Sequence, residues 1–199
     1  MRHSHIHLPI LSRIIIFLCG ILLVAVLFVP LWQIELNAPQ YPEGLVLKLY
    51  PDKIGGNVEI INGLNHYIGM KHISADMFPE FKYMTYVVIF FMALGMTAAI
   101  TGRRKILLAY IIATLIGGLL VLYDLYRWGY DYGHNLDPKA AIQVQGLTYQ
   151  PPVIGHKRLL NFDAYSFPDA AGWIVVGAGS LCILVWFSEW FINRKKNKR

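Results

Sequence analysis

Two histidines and two methionines, His66, Met70, His72 and Met77, fall within twelve residues of this chain. Thioether sulfur and imidazole nitrogen together suit Cu(I) better than most other metals. Residues four apart share a helix face. A short helix capped by Asn62 or Asn65 would therefore point His66 and Met70 the same way. His134 and His156, from a later stretch, are candidates to complete the shell. The competing reading is packing, with Met70 and Met77 as core filler and the histidines bonded to backbone. The repeated Met-x-x-Met of a strong copper signature is absent. His3, His5 and His7 form a second candidate, a flexible and weakly selective chelate near the start of the chain.

Other chemistries find less to work with. The sequence contains no Ser/His/Asp arrangement, P-loop, GxGxxG or CxxCH haem motif. The long apolar runs hold no histidine, which argues against haem held between spans. Cys19 and Cys182 both lie inside apolar runs and match no zinc spacing, so they read as free buried thiols. No carboxylates pair at a catalytic spacing. Nothing in the chain specifically indicates an enzyme.

The elements that must position these residues are membrane spans. The chain is 199 residues long and 56% hydrophobic, with a mean hydropathy of +0.45, too apolar for an ordinary soluble domain. Apolar runs at 14–31, 83–101, 106–123 and 171–192 each approach the roughly 20 residues that cross a hydrocarbon core of about 30 Å. The first run is long and lacks a small-residue cleavage site, so it reads as a retained anchor. Basic residues set the orientation. Arg2, Arg13, Arg103, Arg104, Lys105 and the basic residues of 194–199 flank the ends that the two long connections do not occupy. That places both termini in the cytoplasm and segments 32–82 and 124–170 outside it, with a turn at 102–105 and a tail at 193–199. The net charge of +6 is then an orientation signal, not a nucleic-acid surface.

Within the first outer segment, Leu45, Leu47 and Leu49 alternate. Together with Val58–Ile61 they suggest a β-hairpin closed by a long turn. In the second, the helix of span three is expected to continue past the membrane edge. Arg127 is then placed to pair with Asp124 or Asp131, and Tyr130 shares a face with His134. Trp32, Trp128 and Trp173 suit an interfacial aromatic belt. The 140–168 region, alternating at 141–145 and again at 158–165, suggests short strands and loops packed on the first segment. Glu189, near the inner end of span four, reads as structural and able to snorkel. The fold expected is a mainly α membrane protein: four transmembrane helices under a small mixed α/β extracytoplasmic cap built from two inter-helix segments.

Several longer motifs carry a resemblance: WQIELNAPQYPEGL (32–45), INGLNHYIGM (61–70), YRWGYDYGHNLDP (126–138), YQPP (149–152) and GHKRLLNF (155–162). They resemble membrane accessory proteins encoded with clade II nitrous oxide reductase, the NosB-type family, across both outer segments and the spacing of the spans. The resemblance implies a bacterial inner-membrane factor for maturation or maintenance of the periplasmic copper enzyme. Its partners would be the bilayer, nitrous oxide reductase and that enzyme's maturation proteins. Cu(I) in transit would be the metal, and His66, Met70 and His134 gain weight as family-like positions over His72 and Met77. Two alternatives stand beside it. One is a metal-free scaffold that docks a transporter or other maturation proteins. The other is an electron-transfer subunit meeting quinol at the aromatic outer edge near His134.

Overall fold

The computed structural model describes residues 7–144, 146 and 148–196. Four helices are long and apolar enough to cross a membrane. The first comprises α1 (Ile10–Leu22) with a 3-10 extension, Leu23–Leu27. The others are α3 (Phe81–Thr101), α4 (Arg104–His134) and α5 (Ala170–Lys196). By length and composition these are the helices of a multi-pass membrane protein, and much of their apolar surface, including Leu18, Phe90, Leu119 and Leu184, faces outward. Where the helices meet, small residues alternate with larger ones such as Ile16, Ile111 and Val185. Cys19, Ala98, Ala99, Ala178 and Cys182 are all buried in one cluster with Leu107 and Tyr110. Small residues let apolar helices approach closely, where dispersion contacts replace the missing hydrophobic drive.

The first helix runs four residues earlier at both ends than its apolar run suggests. Pro9 precedes it, and the chain beyond the 3-10 turn is drawn into a sheet, Leu31 N–H donating to Leu49 O. Arg13 consequently lies inside the helix. Its guanidinium donates to the Ala99 and Ile100 carbonyls, which the end of α3 leaves free.

A five-stranded antiparallel sheet caps one end of the bundle. It comprises β1 (Trp32–Ala38), β2 (Tyr41–Leu49), β3 (Ile54–Gly56), β4 (Gly155–Leu159) and β5 (Phe162–Pro168), in the order β3-β2-β1-β5-β4. Strand β1 sits centrally, with Ile34 facing Leu47 on one side and Ser166 on the other. Both inter-helix segments thus belong to one sheet. Leu45 and Leu47 are buried as their alternation requires, but their partner is 32–38 and not 58–61. Residues Val58–Ile68 instead form helix α2. Asn57 turns the chain out of the sheet: its N–H donates to Val46 O, and its Oδ1 accepts from Val46 N–H. Ile61, Asn62 and Asn65 then recur at helical spacing on the buried face. The alternating 141–145 stretch forms no strand over its described residues.

Helix α4 has 31 residues. At 1.5 Å per residue that is about 46 Å, well beyond a ~30 Å hydrocarbon core. Its last third therefore stands in the cap and carries Trp128, Asp131, Tyr132 and His134.

Candidate functional site

The cap's core is built from the sheet, α2, the irregular 70–78 segment and the end of α4. Ile34, Leu45, Leu47, Ile61, Ile73 and Tyr132 are buried together, with Met70, Phe78 and Trp128 packed against them. Trp128 is therefore a core residue here and not a belt residue, its ring centroid 4.7 Å from Tyr132 and 5.4 Å from Phe78.

Asn62 and Asn65 do not cap α2; they sit within it on the buried face. Asn62 clamps the neighbouring backbone, with Nδ2 donating to Ile73 O at 2.9 Å and Oδ1 accepting from Ile73 N–H at 2.7 Å. The helix ends at Ile68, and Gly69 takes a left-handed conformation, φ +80°. Only glycine adopts this without cost. A side chain there would also meet Ala140 Cβ and Asp137 O, each 2.9 Å away, and Gly69 O itself accepts from Asp137 N–H. Gly69 is where the second segment docks on the first.

This turn overturns the expectation that His66 and Met70 share a helix face, since Met70 lies beyond the helix. Met70 is half-buried in the cap core, while His66 is exposed on α2. His72 is exposed, its Nε2 3.4 Å from Asn62 Nδ2. Met77 is exposed in a 3-10 turn, Ala75–Met77. His134 stacks on Tyr130 at a centroid distance of 3.9 Å, its Nδ1 2.9 Å from Tyr130 O. His156 lies on β4, 2.7 Å from Asp163. The candidate ligands thus have separate surroundings. Thioethers aside, no three His, Cys, Asp or Glu side chains among the described residues gather closely enough to hold a metal ion. Of the early histidines, His3 and His5 lie outside the described residues; His7 Nδ1 is 3.3 Å from Thr101 O.

The charged residues at the end of α4 tie the two segments together: Arg127 takes Asp124, one of the two carboxylates its spacing offers, and both it and Asp131 reach partners in the first segment. Arg127 pairs with Asp124 at 3.1 Å and with Glu80 at 3.5 Å. Asp131 turns instead to Lys71, 2.6 Å away, and accepts from Asn135. The Lys71 ammonium, with Asn135, holds the Asp131 carboxyl below the usual carboxylate range. Glu189 does not snorkel. It is buried, accepts from Ser12 Oγ at 2.9 Å and meets Arg104 at 3.3 Å, closing the bundle at the end away from the cap.

A cavity opens beside this core. Its walls come from Ile34, Leu47, Ile61, Met70, Trp128 and Tyr149, among others, and they carry no charged side chain. Sequence reasoning misses it because its walls are drawn from six elements and the loops between them, from residue 34 to residue 162. Tyr149 is visible in the sequence only as the first residue of a Tyr-Gln-Pro-Pro motif. No protein-family model matches the chain, and no curated protein matches it.

Proposed function

We propose that this chain is an inner-membrane accessory factor for maturation or maintenance of periplasmic nitrous oxide reductase, and that the cap is its working part. One observation supports this above the others. The five stretches that carry the family resemblance fall on β1–β2, α2, the end of α4, the loop holding Tyr149 and the β4–β5 hairpin. Those are the elements of the cap, and they line its cavity. Basic residues at the opposite end, Arg13, Arg103, Arg104 and Lys105, support a cytoplasmic side for that end and a periplasmic cap by the positive-inside rule. The test is the copper content and activity of nitrous oxide reductase from a strain lacking this chain. A copper-poor, inactive enzyme restored by the wild-type gene supports the reading. A fully loaded and active enzyme in a normally respiring strain removes it.

Transit of Cu(I) as cargo is a second reading. What favours it is the exposure of His66, His72 and Met77 on the cap, where soft ligands can exchange metal with an acceptor. Met70 and His134 would join only after movement of the cap. Competition for Cu(I) against bicinchoninate, with wild type, the His66→Ala/Met70→Ala pair and the His72→Ala/Met77→Ala pair, separates the sets. Loss of retention in one pair assigns the ligands; equal affinity in all three proteins excludes this cargo site.

A further inference from the structure

We propose that a groove at the end of the bundle away from the cap holds the phosphate of an anionic phospholipid, with one acyl chain laid along α4. The groove measures about 170 Å³. Arg104, Lys105 and Leu108 line it from the start of α4, and Trp186 and Trp190 line it from α5. Lys105 is exposed, and Leu108 and both tryptophans are half-buried, so a group outside the bundle reaches the groove directly.

Its charge calls for an anion. Arg194 stands over the Trp190 ring at 4.2 Å and adds a third cation beside Arg104 and Lys105. Glu189 is the only acidic residue outside 35–80 and 124–169. Its carboxylate is already engaged by Ser12 and Arg104. Neither Lys105 nor Arg194 meets a carboxylate among the described residues. Three cations thus face one acid, and the surplus is positive. Helix α4 also begins here with no side chain capping its first N–H groups. An uncapped helix start adds to the attraction for an anion. Basic pockets between membrane helices are where lipid phosphates bind.

The surface beyond the groove favours a lipid over a soluble phosphate. At about 100° per residue, Leu108, Ile112, Leu115 and Leu119 fall in one stripe along α4, and Arg104 and Lys105 flank its near end. Ile112, Leu115 and Leu119 are all exposed. From Leu108 to Leu119 the helix rises about 16 Å, roughly half of a ~30 Å hydrocarbon core, which is the reach of one acyl chain. The two indoles suit the boundary between chain and headgroup, with an apolar ring body and an N–H that can donate to headgroup oxygens. A phosphate seated among the cations therefore puts its chain on the stripe.

Native mass spectrometry of the full chain tests this, with release from micelles that carry equimolar palmitoyl-oleoyl phosphatidylglycerol and phosphatidylcholine. The expected result is retention of phosphatidylglycerol in preference to phosphatidylcholine. Lys105→Gln should weaken that retention about fivefold, the worth of one interfacial cation, and Lys105→Gln with Arg194→Gln about twentyfold. Arg103→Gln removes the same charge from the same end but outside the groove, and should leave retention unchanged. Lys105 and Arg103 are both exposed, so neither change disturbs the packed interior. Equal retention of the two lipids overturns the proposal. So does an Arg103→Gln loss as large as that of Lys105→Gln, which would mean diffuse attraction to the whole basic end. Glycerol 3-phosphate that competes at the same concentration as the lipid would place a soluble phosphate ester in the groove and overturn the lipid assignment.

Discussion

At the scale of single residues, the cap depends on polar side chains that replace backbone partners. Asn62 gives Ile73 both a donor and an acceptor in a buried setting. Asn62→Leu keeps the volume roughly constant but strands the Ile73 N–H and C=O. Denaturant unfolding in micelles should show a loss of about 1–3 kcal/mol or more. The Lys71–Asp131 pair is worth less, because both side chains are more than a third exposed. Its sign is nevertheless fixed. The folded state lowers the Asp131 pKa, so the contribution is complete above the ordinary carboxylate range and disappears as pH falls through the lowered value. Stability measured from pH 7 to pH 2 should contain a component under about 1 kcal/mol that Asp131→Asn removes. An identical acid profile in the variant would contradict this assignment.

At the scale of elements, the close approach of the Tyr149–Gln150 stretch to α4 decides whether the cavity exists. Tyr149 N–H donates to Gly133 O, and a Cβ on Gly133 would lie 2.3 Å from Gln150 N. Backbone cannot yield to that overlap as a flexible side-chain tip can. Gly133→Ala should therefore lift this stretch from the helix, although alanine favours the helix itself by up to about 1 kcal/mol. Limited proteolysis should cut between residues 138 and 154 several times faster than in wild type, with cleavage elsewhere unchanged. The far end of the bundle has a comparable dependence. Removing Glu189 leaves Arg104, whose side chain is 23% exposed and whose Nε is buried without a partner among the described residues, with no counter-charge. Breaking a fully buried pair costs roughly 3–5 kcal/mol, and the partial exposure of Arg104 brings the cost here below that; replacing both members by apolar groups is often neutral. Glu189→Leu should lower the melting temperature more than Glu189→Leu combined with Arg104→Met; a double variant as unstable as the single one would show that the pair itself adds stability.

At the scale of the whole molecule, a sheet and four spans share one continuous frame. Leu31 belongs to both: its N–H reaches Leu49 O in β2, and its carbonyl accepts from Asp169 N–H at the start of α5. The cap is thus attached to the membrane helices through backbone bonds, and the α4 extension runs from the bundle into the cap core. The sequence by itself determined the spans, because about 20 consecutive apolar residues have few other stable placements. It also determined which leucines of 45–49 face inward, through period-two alternation, and that Tyr130 and His134 meet, through helical spacing. Those properties are local, set by residues within a few positions of one another. Only the tertiary structure decided that β1 pairs with both β2 and β5, that Val58 starts a helix, that Asp131 chooses Lys71, and that Met70 leaves His66. Each of these is a competition between partners far apart in the chain. The choice at Val58 illustrates the reason. A short apolar run satisfies strand and helix periodicity equally, and Asn57, bonded to Val46 across the turn, removed it from the sheet. The cavity is the extreme case: space between side chains has no residue of its own, so it exists only once the elements around it have packed.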